Sequence, residues 1–152
     1  KLEEMGKLRA VITQNIDGLH QSVGSKNVLE LHGSVHRNYC MQCKKFFTMD
    51  YILESAGVPK CDRCGDIVKP DVVLYEEGLD MDIMNKSVWH IENAEVLIVA
   101  GTSLTVYPAA GLIRYFSGKH LVLINKTATP YDHLAKLVIH ESIGETLKAC
   151  LL

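Results

Sequence analysis

Apolar positions fall into four short runs separated by stretches of helical spacing. The runs are Ala10 to Thr13, Glu95 to Gly101, His120 to Asn125 and Leu137 to His140, rich in Val, Ile and Leu. Such continuous runs predict strands buried on both faces, as in a parallel sheet covered by helices. Between them, Asp80 to Asn93 places Met84, Val88 and Ile91 at i, i+4 and i+7. That spacing predicts a helix, capped by Asp80 or Asp82. Pro108 to Phe116 predicts a second helix, with Pro in its first turn and Gly118 beyond its end. Thr129-Pro130-Tyr131-Asp132 opens a short third helix, and Ser142 or Gly144 opens the last. Residues 1–9 read as the end of a helix. The alternation predicts an α/β fold, a Rossmann-like parallel sheet with helices on both faces. Residues 35–69 lack apolar periodicity and read as an inserted module, which leaves 1–34 and 70–152 as the sheet portion.

Composition narrows the function. The chain has 152 residues, 16 Lys+Arg against 18 Asp+Glu, and a formal charge of -2. That balance, without a basic run, excludes a nucleic-acid footprint. No stretch of about 18 apolar residues predicts a membrane span. The charged start, Lys1-Leu2-Glu3-Glu4, leads into no apolar signal core, so a cytoplasmic protein is expected.

Four of the five cysteines form Cys40-x2-Cys43 and Cys61-x2-Cys64, with 17 residues between the pairs. Two such knuckles close a tetrahedron of thiolates, the geometry of structural Zn2+. The rival readings are two redox dithiols or accidental spacing. A closed site leaves no open position for chemistry. Lys44, Lys45, Lys60 and Arg63 partly offset the thiolate charge. Cys150 reads as a small buried apolar residue.

Ligands of an open parallel sheet bind beyond the carboxyl ends of its strands. There the sequence places Gln14, Asn15, Asp17, Gly18 and His20, then Gly101, Thr102 and Ser103, then Asn125, Lys126 and Thr127, and finally Glu141 and Ser142. Gly101-Thr102-Ser103 offers N–H groups and hydroxyls to an anion, although Gly-Thr-Ser is also a common turn. His32, after Val28-Leu29-Glu30-Leu31, has the residue chemistry of a general base. Composition does not choose it over the other six histidines.

Taken together, Thr13-Gln14-Asn15-Ile16-Asp17-Gly18-Leu19-His20, Glu30-Leu31-His32-Gly33, the four cysteines, Lys69-Pro70-Asp71-Val72-Val73-Leu74-Tyr75-Glu76-Glu77 and Gly101-Thr102-Ser103-Leu104-Thr105-Val106-Tyr107-Pro108-Ala109 resemble the sirtuins, in order and over nearly the whole chain. Sirtuins are NAD-dependent protein deacylases, and the likeness is to bacterial members. The resemblance implies that Gln14, Asn15, Ile16 and Asp17 line the nicotinamide and ribose pocket, with Asn15 and Asp17 catalytic beside His32. It implies that Gly101, Thr102 and Ser103 hold the phosphate and ribose region, that Asn125, Lys126 and Thr127 hold the adenosine ribose, and that Ser142 touches adenine. His32 is implied as the general base that draws a proton from a ribose hydroxyl. The products implied are nicotinamide, free lysine and O-acyl-ADP-ribose. An acyl-lysine protein or peptide is the implied partner. It adds as a strand between Val73, Leu74, Tyr75, Glu76 and Glu77 on one side and Leu104, Thr105 and Val106 on the other.

The chain departs from the family at two places. Lys69-Pro70 and Tyr75-Glu76-Glu77 stand where Arg-Pro and Phe-Gly-Glu are common, so a bidentate contact and the bend near Glu76 are expected to differ. The family's first strand and Gly-Ala-Gly loop find no counterpart in residues 1–152, so this stretch alone is expected to bind NAD weakly. Two other functions fit parts of the sequence. A non-catalytic zinc-ribbon binding module explains the cysteines but not Gln14 to Asp17 or His32. A sirtuin-like mono-ADP-ribosyltransferase shares every motif.

Overall fold

The computed structural model describes residues 1–150. The chain forms two compact units, Lys1–Met84 and the residues from Asn85 onward. Among the described residues, no helix is long and apolar enough to cross a membrane.

In the first unit, β1 (Val11–Thr13) pairs in parallel with β2 (Val28–Glu30) in the register Val11 to Val28 and Thr13 to Glu30. A four-residue helix, α1 (Leu19–Ser22), lies between them in the chain and is preceded by Gly18 in the left-handed region at φ 67°. The rest of this unit holds a three-stranded antiparallel sheet in the order β4-β3-β5. Its strands are β3 (Gly33–Cys40), β4 (Phe46–Phe47) and β5 (Val68–Val72). Pro70 is tolerated because β5 is an edge strand. Helix α2 (Met49–Leu53) starts at Thr48, whose Oγ1 accepts from the Tyr51 N–H at 3.4 Å. Cys40, Phe47, Cys61 and Val68 make the core of this ribbon, with Tyr51 and Ile52 packed against it.

Helix α3 (Met81–Glu92) begins as expected. Asp80 Oδ1 accepts from the Asp82 N–H at 2.8 Å and the Ile83 N–H at 3.1 Å. Ile91 is buried, and Met84 and Val88 are half-buried.

The second unit holds a parallel sheet in the order β6-β7-β8, namely Val96–Ala100, His120–Ile124 and Leu137–Ile139. Helix α4 (Ile143–Cys150) follows. Leu104, Ile113, Leu121, Leu123 and Tyr131 form its core, with Leu97, Val99 and Val138 against them. β6 is not buried on both faces. Leu97 and Val99 reach the core, whereas Val96 and Ile98 on the opposite face of the pleat are 48% and 45% exposed.

Four further expectations give way. The Pro108 to Phe116 segment is a 3-10 helix, Ala109–Tyr115, with Gly111 in its interior, a poor residue for an α-helix interior. The short helix after Thr129 is a 3-10 turn, Asp132–Leu134. Residues 1–9 form turns, closed by the Lys7 and Leu8 N–H groups donating to the Leu2 carbonyl at 2.9 and 3.1 Å. Cys150 is exposed rather than buried, because the last turn of α4 is exposed at Lys148, Ala149 and Cys150.

Gly33 joins the two sheets of the first unit. It stands at φ 75°, and a Cβ there would meet the Asp71 carbonyl oxygen at 1.9 Å. Only glycine lets β3 approach β5 at that point. Replacing Gly33 with Ala therefore lowers stability by about 1–3 kcal/mol, read as a lower urea midpoint. A midpoint equal to that of the unmodified chain refutes this role.

Candidate functional site

Parallel pairing sets the carboxyl ends of β1 and β2 side by side. Gln14, Asn15, Ile16 and Asp17 leave β1, and His32 lies two residues past β2. The Leu31 N–H donates to the Thr13 carbonyl at 2.9 Å, which carries the pairing up to the histidine. His32 Nδ1 lies 2.9 Å from the Gln14 carbonyl oxygen. A carbonyl only accepts, so Nδ1 carries the proton and Nε2 keeps its lone pair. The His32 carbonyl accepts from the Val73 N–H at 3.1 Å, which ties its backbone to β5.

The loop after β1 is held from three sides. The Asn15 N–H donates to Thr13 Oγ1 at 3.0 Å, and Asp17 Oδ1 accepts from the Leu19 N–H at 3.1 Å. The Ile16 carbonyl accepts from the Val35 N–H at 3.1 Å. His36 Nε2 donates to the Asp17 carbonyl at 2.9 Å, with its ring against Gly18. Asn15 and Asp17 are exposed, Gln14 and Ile16 half-buried. Among the described residues the Asn15 carboxamide has no hydrogen-bond partner, so it is available to a ligand. His36 was not foreseen, since its contact joins positions 19 residues apart.

Glu30 anchors the same region. Its carboxylate accepts from Arg37 at 2.6 Å and from Gln21 at 2.7 Å, and Arg37 also donates to Asp71 at 2.8 Å. Glu30 is thereby a structural brace.

The Val73 to Glu77 segment follows β5. Val73 is half-buried, Leu74, Glu76 and Glu77 are exposed, and Tyr75 is fully exposed. Glu76 takes the left-handed conformation at φ 70° although it is not glycine. Glu77 Oε2 accepts from the Leu74 N–H at 2.9 Å and from Lys69 Nζ at 3.1 Å, and these two bonds hold its carboxyl below the ordinary range. Lys69 Nζ also donates to the Val72 carbonyl at 3.0 Å.

The four cysteines converge. Their Sγ atoms lie within 4.8 Å of one another, with Cys40 to Cys64 at 3.3 Å and Cys43 to Cys61 at 3.6 Å. A tetrahedral ion bound at about 2.3 Å sets sulfurs about 3.8 Å apart, so the donor set fits Zn2+. N–H groups of Cys43 and Arg63 donate to the sulfurs of Cys40 and Cys61, each at 3.4 Å. Left-handed Lys44 and Gly65 turn the two knuckles. Lys45 is not a free counter-charge, because it pairs with Asp62 at 2.6 and 2.7 Å. Burial pushes the Cys40 thiol up, but hydrogen bonds from the Cys43 N–H, the Cys64 thiol and the Gln42 N–H outweigh it and bring it to about 6. All five cysteines are free.

In the second unit the ends of β6, β7 and β8 line up in the same way. A cavity of about 370 Å³ is lined by Gly101, Asn125, Lys126, Glu141, Ser142 and the start of α4. Gly101 stands at φ 64°, and a Cβ there would meet Ile143 Cδ1 at 2.8 Å. Thr102, Ser103 and Thr127 are not on this wall. The Thr102 hydroxyl accepts from the Leu104 N–H at 3.2 Å, Ser103 pairs with Thr105 at 2.7 Å, and Thr127 accepts from Asn125 Nδ2. Glu141 is the added wall residue. Its place after β8 was legible, but no motif marked it as a ligand. Leu104 is buried, whereas Thr105 and Val106 are exposed. His140 Nδ1 donates to the Asn125 carbonyl at 2.9 Å, and its Nε2 lies 3.7 Å from Asp132.

Comparison with known proteins places these features in context. The model of the Sir2 family matches residues 1–108. A protein of Clostridium acetobutylicum named NAD-dependent protein deacetylase is 64% identical over 152 residues, covering 99% of this chain and 62% of its own length. One of that name from Clostridium tetani is 66% identical over 148 residues, covering 97% and 60%. The chain therefore spans about three fifths of these relatives. Among solved structures, one titled "Sir2-p53 peptide-NAD+" aligns with a TM-score of 0.92 at 44% identity, covering 99% of this chain and 65% of that one. Another, "Sir2 bound to acetylated peptide", gives 0.92 at 42% identity, with the same coverage.

Two outcomes follow from the geometry. The purified chain carries one zinc per molecule by elemental analysis. A strong chelator lowers its Tm, and Cys61→Ser abolishes the metal, whereas a Tm indifferent to chelation excludes a structural ion. Separately, Asp132 is held below its ordinary 3.8, first by the Thr129 hydroxyl, with burial opposing and the Thr129 N–H and two histidines assisting. Its contribution is full above the unfolded value and is lost as pH falls through the lower folded one. Asp132→Asn is expected to flatten the fall of stability below about pH 4. An unchanged acid limb in urea titrations refutes it.

Proposed function

The chain belongs to the Sir2 family, and we propose that it carries the base, the carboxamide-binding loop and the zinc ribbon of an NAD-dependent protein-lysine deacylase. The observation behind this reading is the Nδ1–H of His32 bound to the Gln14 carbonyl, which leaves the Nε2 lone pair free to accept a proton. NAD, when bound, supplies nicotinamide as leaving group and ADP-ribose as acyl acceptor. Asn15 and Asp17 are assigned to the nicotinamide carboxamide, since an amide donor–acceptor and a carboxylate match its groups. Gln14 positions His32 through its carbonyl, and Ile16 adds apolar contact. In the second unit, Gly101, Asn125, Lys126 and Ser142 bind the adenosine end at their shared cavity. Thr102, Ser103 and Thr127 shape the loops around it.

The substrate is an acyl-lysine protein or peptide. Val73 to Glu77 and Leu104 to Val106 bind its backbone, a mode that gives affinity with little sequence demand. Residues 35–69 serve as the zinc module, with 1–34 and 70–152 as the nucleotide portion. Four thiolate ligands suit a reducing cytoplasm.

With the full-length protein, an acetyl-lysine peptide and NAD, the expected products are nicotinamide, free lysine and O-acetyl-ADP-ribose, identified by mass spectrometry. His32→Tyr is expected to cut turnover by about 10²-fold or more while the circular-dichroism melt is unchanged. Activity within about threefold of the unmodified protein rejects the base. ADP-ribose attached to protein, with no O-acetyl-ADP-ribose, identifies a transferase instead.

A further inference from the structure

The second unit holds a second cavity, of about 610 Å³. Its wall includes Leu104, Thr105, Tyr107, Arg114, Tyr131 and His133. The Tyr107 and Tyr131 hydroxyls lie 2.7 Å apart, and Tyr131 is 8% exposed. The Tyr131 phenol is driven down because it accepts first from Tyr107 and then, against burial, from Arg114. Arg114 is exposed and forms no ion pair with a carboxylate among the described residues. A guanidinium has five N–H donors, and two phenols leave several of them open. His133 adds two ring nitrogens and Thr105 a hydroxyl. No Asp or Glu stands on the wall. The neighbouring Asp132 is committed to Thr129 through Oδ1 and faces His140 through Oδ2.

We propose that this cavity binds an anionic side chain of the substrate protein, a carboxylate or a phosphate, flanking the acyl-lysine. The inference rests on the deacylase reading, which makes Leu104 to Val106 the segment that pairs with the substrate backbone. Leu104 and Thr105 belong both to that segment and to the cavity wall. Side chains of an added strand alternate between its two faces, so a residue near the acyl-lysine reaches this side. Arg114, with its planar fork, recognises two oxygens at once, and the phenols orient it. The resulting preference is for acidic or phosphorylated sequences beside the modified lysine.

The test uses full-length protein and fluorescein-labelled acyl-lysine peptides with a single Glu, phosphoserine or Gln scanned from three residues before the lysine to three after. Binding is read by anisotropy, which needs no turnover. At one or two positions Glu or phosphoserine is expected to lower Kd about tenfold relative to Gln, about 1.4 kcal/mol. A larger gain for phosphoserine assigns the site to phosphate, and equal gains assign it to either anion. R114Q is expected to shrink the gain below twofold, and R114K to retain part of it. Equal Kd for acidic and neutral peptides at every position overturns the proposal, as does a preference that survives R114Q. If R114Q fails to fold, as judged by its melt, Tyr107→Phe carries the same comparison. A preference for acidic peptides without release of any acyl group overturns the deacylase reading and leaves the anion pocket standing.

Discussion

In a parallel ladder every strand ends on the same side, and that constraint gathers polar residues far apart in sequence. In the first unit it sets Gln14 beside His32 across the tips of β1 and β2. In the second it sets Gly101, Asn125 and Ser142 around one cavity at the tips of β6, β7 and β8. Both clusters depend on register. A slip of one residue turns each tip to the other face and removes the His32–Gln14 contact.

The hydrogen bond from His32 Nδ1 does two jobs with one proton. It fixes the ring and it chooses the tautomer, so the other nitrogen is ready to accept. The backbone on either side of the ring is held as firmly. Val73 donates to the His32 carbonyl, and Gly33 passes close to Asp71 where any side chain would collide. The ribbon that carries the four cysteines is built on these same strands, β3 and β5. A bound ion at its far end would thus stiffen the strand that starts beside His32.

The strands of the second unit and helix α3 were legible because aliphatic runs and helical spacing mark such elements, although the runs overstated burial at Val96, Ile98 and Leu137. β3 was not, because its most buried residues are Ser34, Asn38 and Cys40 at 2%, 1% and 0% exposure, which no hydrophobic pattern shows. β5 was hidden by Pro70, which argues against a central strand and is allowed here only by its edge position. The strand-end rule named Asn125 and Ser142, which line one cavity, and Gln14, whose carbonyl meets His32. It did not show the contact of His32, since the carbonyl that its ring meets is 18 residues away in the chain. The four cysteines were the easiest feature to read, because the spacing of each pair is local and each knuckle closes on its own backbone.

The bend at Tyr75-Glu76-Glu77 keeps a left-handed residue without glycine, and the lysine ammonium and the glutamate carboxylate that grip Val72 and Leu74 maintain it. A glycine bend draws its shape from steric freedom and is indifferent to the medium. This one is held in part by the Leu74 N–H and in part by opposite charges, one of them 45% exposed to solvent. Dissolved electrolyte screens such an attraction, so the contribution of the Lys69–Glu77 pair falls as ionic strength rises while the Leu74 hydrogen bond remains.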